Sequence, residues 1–300
     1  MTSKNLSKKS LNNSNILILG EGYVGTILLQ SLTDHGYNVI SKSRKDLDYH
    51  IPSDLMRFVL NSDIDVVINC SGFTGKPNVD EAEIKKDECW NLNVMIPKKI
   101  AELCNNIGVK LIHVSSGCIY SGYDKEYKET DTPDFGLYHN SSFYSKSKHA
   151  FETITTNNRI KILRIRMPIC FDLDNNKNYL KKIMNYPNLV DFKNSKTFIP
   201  ELGDFIDAML QKKDLSWSGQ DIYNVVHSTP LSTFEVVWTL NVNNQGKWKE
   251  LKPNWVDMSE LDIKAPRSNC ILNNDKAMEI FPLSNEREIM VKLMNNINNN

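Results

Sequence analysis

Three hundred residues, 40% hydrophobic and 24% charged, can bury a core without disulfide or metal staples. Thirty-six Lys and Arg balance 36 Asp and Glu to a formal net charge of +0. That balance speaks against a dedicated nucleic-acid binder, which carries a basic excess, and against an acidic solvating tail.

The chain starts MTSKNLSKKSLNNSN, polar and basic, so residues 1–14 read as a disordered extension. The apolar run Ile16 to Leu19 is too short for a signal peptide or a membrane span, and no membrane partner and a cytoplasmic location are expected. That run instead suits a strand buried on both faces of a parallel sheet. GEGYVG follows at once, then helical spacing from Thr26 to His35, a strand over Gly36 to Ile40, a short helix from Leu55 to Leu60 and a strand from Asp65 to Asn69. Val79 to Asn105 reads as mostly helical, with Pro97 marking a break or kink. Val109 to Val114 is another strand, ending in SSGC. A helix over Phe143 to Thr155 and a strand over Ile160 to Ile165 follow. Such alternation predicts an α/β fold, a Rossmann-type doubly wound parallel sheet, with ligands at the C-terminal strand ends. After Pro168 the alternation weakens. Residues 15–166 are expected to form the NADP-binding domain and 167–300 a smaller substrate-binding lobe, with no linker between them. The final NNINNN reads as a frayed terminus. Six cysteines (Cys70, Cys89, Cys104, Cys118, Cys170, Cys270) show no metal-ligand or disulfide spacing, and no metal is expected.

Gly20, Gly22 and Gly25 match G-x-G-x-x-G between a buried strand and a helix. The first glycine permits the tight turn, the second admits a pyrophosphate, and the third lets helix and strand pack. Tyr23 and Val24 fall inside that turn. At the end of the second strand stand Ser41, Lys42 and Arg44, hydroxyl and cations where an NAD binder usually has an acid. They favour a 2′-phosphate, hence NADPH, with NADH left open. Tyr144 and Lys148 form Y-x-x-x-K on one helix face, where an ammonium is expected to lower the phenol's pKa toward neutrality. The phenol then gives a proton to a carbonyl oxygen as hydride arrives. Ser116 at a strand end is placed to hydrogen-bond that oxygen, and Cys118, two residues on, to exchange protons with the neighbouring carbon.

Together these residues resemble the extended short-chain dehydrogenase/reductase family. The blocks TGKPNVD, SSGCIYSGY, YSKSK, RMPI and APRSN look like the bifunctional 3,5-epimerase/4-reductases of nucleotide-rhamnose synthesis known from plants, a likeness running from about Ile16 to Pro282. The resemblance implies UDP-4-keto-6-deoxy-glucose as substrate, epimerised at C3 and C5, then reduced at C4 with NADPH to UDP-L-rhamnose. It assigns Ser116, Tyr144 and Lys148 to reduction and Cys118 with a lysine to epimerisation. That lysine matches Lys182, with the adjacent Lys181 left open. By the same matching, Asn69 and Asn93 shape the cofactor site, and Thr74, Asn78 and Arg267 join Ser116 and Cys118 in contacting substrate. Arg166 is assigned either to the pocket or to a structural ion pair. The glycine turn departs from the relatives' G-x-x-G-x-x-G by one residue. A separate 4,6-dehydratase is expected to supply the ketone, and a homodimer is left open.

Two alternatives stand. One is a reductase alone, like dTDP-4-keto-rhamnose reductases, which has no use for a Cys118/Lys182 pair. The other is a non-catalytic NADP-binding subunit similar to the β subunit of methionine adenosyltransferase, which could lose Tyr144, Lys148 or Cys118 freely.

Overall fold

Ile16, Leu17, Ile18 and Leu19 are wholly buried, as a strand covered by helices on both faces requires. They belong to β1 (Asn15–Leu19) in a computed structural model that describes residues 14–76, 78–137, 140–246 and 249–299. The extension expected over residues 1–14 lies, apart from its last residue, outside the described residues. Helix α1 (Tyr23–Asp34) leads to β2 (Asn38–Lys42), α2 (Pro52–Asn61) and β3 (Val66–Asn69). Strand β2 starts two residues later than its sequence suggests. Gly36, at φ +88°, and Tyr37 close the end of α1, their amides reaching the carbonyls of Thr33 and Leu32.

Residues 79–105 are broken up more than a single kinked helix. Short turns at Glu81–Ile84 and Lys86–Trp90 run into a π-helical turn, Asn91–Met95, and then α3 (Ile96–Ile107). Pro97 lies in the first turn of α3, where its missing N–H is tolerated, and the irregularity falls just upstream. Strand β4 (Lys110–Ser116) runs two residues past Val114, because Ser115 and Ser116 pair with Arg164 and Ile165. Helix α4 (Phe143–Ile154) and β5 (Ile160–Ile165) follow as expected.

The later chain holds α5 (Tyr179–Asn185), α6 (Ile199–Gln211), β6 (Gln220–Asn224), α7 (Thr233–Val242) and α8 (Glu286–Asn299). Six parallel strands stand in the order β6-β5-β4-β3-β1-β2. Alternate strand residues face opposite layers: Ile16, Ile18 and Ile112 meet α1 and α6, whereas Leu17, Leu19 and Leu111 meet α2, α3 and α4. The chain after residue 166 therefore supplies both the covering lobe and the outer strand of the sheet, and a boundary at 166 cuts the sheet domain. Sequence alternation missed β6 because only its pairing with β5 marks it as part of the sheet.

The covering lobe has its own core, built from α5, α7 and α8. The Asn-rich end is helical through Asn299, which corrects the reading of a frayed terminus. Ile289, Met290, Leu293, Met294 and Ile297, spaced at three and four residues, pack into that core and override the poor helix propensity of asparagine. Among the described residues no helix is long and apolar enough to cross a membrane.

Candidate active site

The C-terminal strand ends converge on a cavity of about 470 Å³. Its walls include Gly22, Tyr23 and Val24 after β1, Ser71 and Gly72 after β3, Ser115 and Ser116 of β4, and Arg166 after β5. A second cavity of about 540 Å³ lies under the covering lobe. The two share Asn78, Val79, Cys118, Tyr144, Arg166, Met167 and Lys182, so these residues form a wall common to both.

The glycine turn is tight and leaves open space before α1. A Cβ on Gly25 would lie 2.0 Å from the Gly20 carbonyl oxygen, which pins the turn against α1. A Cβ on Gly22 would meet nothing within 4 Å, and no side chain caps α1. Open space before an uncapped helix N-terminus leaves backbone N–H groups free for phosphate. The shortened spacing is therefore compatible with pyrophosphate at this end.

The residues expected at the ribose behave differently. Lys42 lays its ammonium 5.5 Å from the Phe58 ring centroid, and Arg44 is exposed. Ser41 donates to the carboxylate of Glu21 at 2.8 Å. Glu21 thus brings to the end of β2 an acid that the sequence pattern misses, because it comes from the glycine turn instead of the strand.

Asn69 and Asn93 line neither cavity; both hold the loop after β3. Asn69 accepts from the Ser71 amide (3.0 Å) and hydroxyl (2.6 Å), and its amide nitrogen lies 3.1 Å from His113 Nδ1. Asn93, wholly buried, accepts from the Phe73 amide at 2.8 Å and donates to Ser147 Oγ at 3.0 Å. Thr74 and Asn78 line the first cavity. Lys177, absent from the sequence expectations, reaches Thr74 Oγ1 at 3.3 Å and the Gly75 carbonyl at 3.2 Å from the covering lobe. Its place in a lysine-rich stretch with Lys181 and Lys182 was the available signal.

Ser142 caps α4 by accepting from the Ser145 amide at 3.1 Å, which sets Tyr144 in the first turn and Lys148 one turn on. The Lys148 ammonium lies 5.7 Å from the Tyr144 ring centroid. The expected lowering of the phenol's pKa is not found. Burial pushes Tyr144 up and Cys118 adds to that, while Ser116 and Arg166 oppose it. Burial also drives Lys148 down to about 8, because no carboxylate pairs with it among the described residues. Beneath them His113 is held neutral, first by burial and then by the Lys148 charge.

Ser116 Oγ accepts from the Cys118 amide at 3.2 Å and so braces the turn carrying the thiol. Lys182 on α5 lines both cavities, its pKa pushed down by burial and by Lys177. Lys181, one residue earlier, turns away to Asp174 at 3.2 Å. Of these two neighbours, Lys182 is therefore the one that shares a cavity with Cys118. Arg267 sits in the second cavity but donates to Asp80 at 2.7 Å, tying the covering lobe to the loop after β3. Among the described residues Arg166 makes no ion pair; its hydrogen-bond partners are neutral groups.

Residues 14–297 match the RmlD substrate binding domain family. The bifunctional dTDP-4-dehydrorhamnose 3,5-epimerase/dTDP-4-dehydrorhamnose reductase of Arabidopsis thaliana is 34% identical over 240 residues, 76% of this chain and 75% of that protein. Among solved structures, the UDP-rhamnose synthase of Acanthamoeba polyphaga mimivirus superposes with a TM-score of 0.82 at 22% identity, over 95% of this chain and 99% of that one. The dTDP-4-dehydrorhamnose reductase of Bacillus anthracis str. Ames, solved with NADP, gives 0.78 at 20% identity, over 94% and 98%. At those identities the two structures establish the shared fold, a parallel sheet flanked by helices. On the extent of the family match and the Arabidopsis relative, the chain belongs to the RmlD substrate-binding-domain family, among extended short-chain dehydrogenase/reductase-like reductases.

Proposed function

We propose that this protein is a nucleotide-sugar 4-reductase with 3,5-epimerase activity, converting UDP-4-keto-6-deoxy-glucose to UDP-L-rhamnose. One observation carries the reading. Among the described residues the cavity at the strand ends is lined by Lys148, Arg166, Lys177 and Lys182 and by no Asp or Glu, in a chain whose formal net charge is +0. A cleft concentrating four cations suits ligands bearing diphosphates. The name of the Arabidopsis relative supports both activities.

Each residue then has a task. Cys118, as thiolate, takes the proton from C3 or C5, each acidic because it lies beside the C4 ketone, and the electron pair moves onto the C4 oxygen as an enolate. Lys182, on the other wall, returns a proton to that carbon from the opposite face. Its lowered pKa makes the ammonium a readier donor. Ser116 and Tyr144 hydrogen-bond the C4 oxygen and stabilise its charge. Bound NADPH supplies the hydride to C4. Tyr144 gives its proton to the C4 oxygen, and Lys148 stabilises the phenolate left behind.

Hydrogen exchange in D2O separates this from a reductase acting alone. Cys118→Ala is expected to abolish deuterium entry at C3 and C5 while still oxidising NADPH with a pre-epimerised 4-keto sugar. Deuterium washing into those carbons in the variant would sink the assignment of Cys118. No NADPH oxidation by the wild type with either the UDP or the dTDP sugar would sink the reductase reading.

A further inference from the structure

Arg166 is 1% exposed, in the wall common to both cavities. Its Nη1 donates to the Gly117 carbonyl (3.0 Å), Ser268 Oγ (2.8 Å) and Cys270 Sγ (3.2 Å). Its Nη2 donates to Asn194 Oδ1 (2.7 Å) and the Ser268 carbonyl (3.0 Å), and its Nε is buried with no partner. No carboxylate lies within 4.0 Å of the guanidinium among the described residues. Burying an unpaired charge costs several kcal/mol, so an arginine kept this way is positioned for a negative charge that arises elsewhere.

The groups within electrostatic reach that can become negative are Cys270, Cys118, Tyr123 and Tyr144. Of these only Cys118 and Tyr144 line both cavities, and Cys118 is bonded to the residue whose carbonyl Arg166 holds. We propose that Arg166 is a positioning residue whose fixed charge stabilises the Cys118 thiolate, and with it the proton transfers at C3 and C5. The inference rests on the proposed role of Cys118 and adds what makes that thiol reactive. Cys118 also faces Tyr144 and Lys148 of α4, Lys182 of α5 and Cys270. Arg166 differs from the two lysines in that its charge does not titrate in the working range.

The test supplies the missing counter-ion without removing the arginine. Asn194→Asp is isosteric and places a carboxylate against Nη2. Because the thiolate is the reacting species, alkylation of Cys118 by iodoacetamide at pH 7, followed by mass spectrometry of its peptide, reads the charge balance directly. Asn194→Asp is expected to fold and to be alkylated about tenfold more slowly, matching roughly 1.4 kcal/mol of lost stabilisation. Deuterium exchange at C3 and C5 is expected to slow in parallel. Arg166→Met is expected to slow both likewise and Arg166→Lys to recover most of the rate. A folded Asn194→Asp protein alkylated at the wild-type rate overturns the proposal. Slowed alkylation in a protein whose wild type never exchanges deuterium would keep the Arg166 effect on Cys118 and reject the epimerase reading.

Discussion

Arg164 and Arg166 stand two residues apart at the end of β5, both buried, and the chain treats them in opposite ways. Arg164 donates to Glu152 of α4, Nη2 to Oε2 at 2.7 Å and Nε to Oε2 at 3.1 Å; its Nη1 donates to the Tyr120 hydroxyl at 2.8 Å, and Ser115 donates to the carboxylate at 2.9 Å. Arg166 is given only neutral acceptors. The contrast extends beyond the two. Away from the cleft, Lys161 pairs with Asp221 at 2.9 Å and Lys196 with Glu286 at 2.9 Å, whereas Lys148, Arg166 and Lys182 have no carboxylate among the described residues. These buried cations outside the site are neutralised within the fold, whereas those in the cleft are not.

The largest effect should come from making Arg164 resemble Arg166. Glu152→Gln leaves a buried guanidinium without its carboxylate and should cost about 3–5 kcal/mol, read from the urea midpoint. A loss below about 1 kcal/mol would mean that the paired and unpaired arginines are energetically alike. Next is Lys148, which burial holds at about 8 against an ordinary 10.5. Below the folded value the chain bears the whole cost of that buried charge. As pH rises from about 8 to 10.5 the unfolded chain still binds the proton and the folded chain does not, so stability rises. Relative to Lys148→Met, the gain should be on the order of 3 kcal/mol across that window. A gap that stays flat with pH would show that Lys148 carries no such cost. Smallest is Glu21, the acid that the glycine turn brings to Ser41. Glu21→Gln should raise the NADPH:NADH affinity ratio about fivefold, roughly 1 kcal/mol, in a fluorescence titration. An unchanged ratio would place Glu21 outside the ribose site.

The parts readable in advance were those whose chemistry is local. A four-residue apolar run, three glycines and a tyrosine one turn before a lysine are patterns within a single element, and each fixes its own geometry. Lys181 and Lys182 could not be separated in that way, since neighbours on a helix point about 100° apart and only packing decides which faces the cleft. The Arg267–Asp80 bridge joins residues 187 apart, and the sequence around Arg267 carries no sign of its partner. The Tyr144 expectation failed for a related reason: Y-x-x-x-K specifies proximity, but not the burial that raises the phenol and lowers the lysine together.

By itself the sequence determined a doubly wound parallel sheet and the glycine turn after its first strand, because periodicity and spacing act over a few residues. Tertiary structure decided where charge is compensated. A formal net charge of +0 says nothing about a cavity lined by four cations and no acid, since that segregation depends on which distant residues fold against one another.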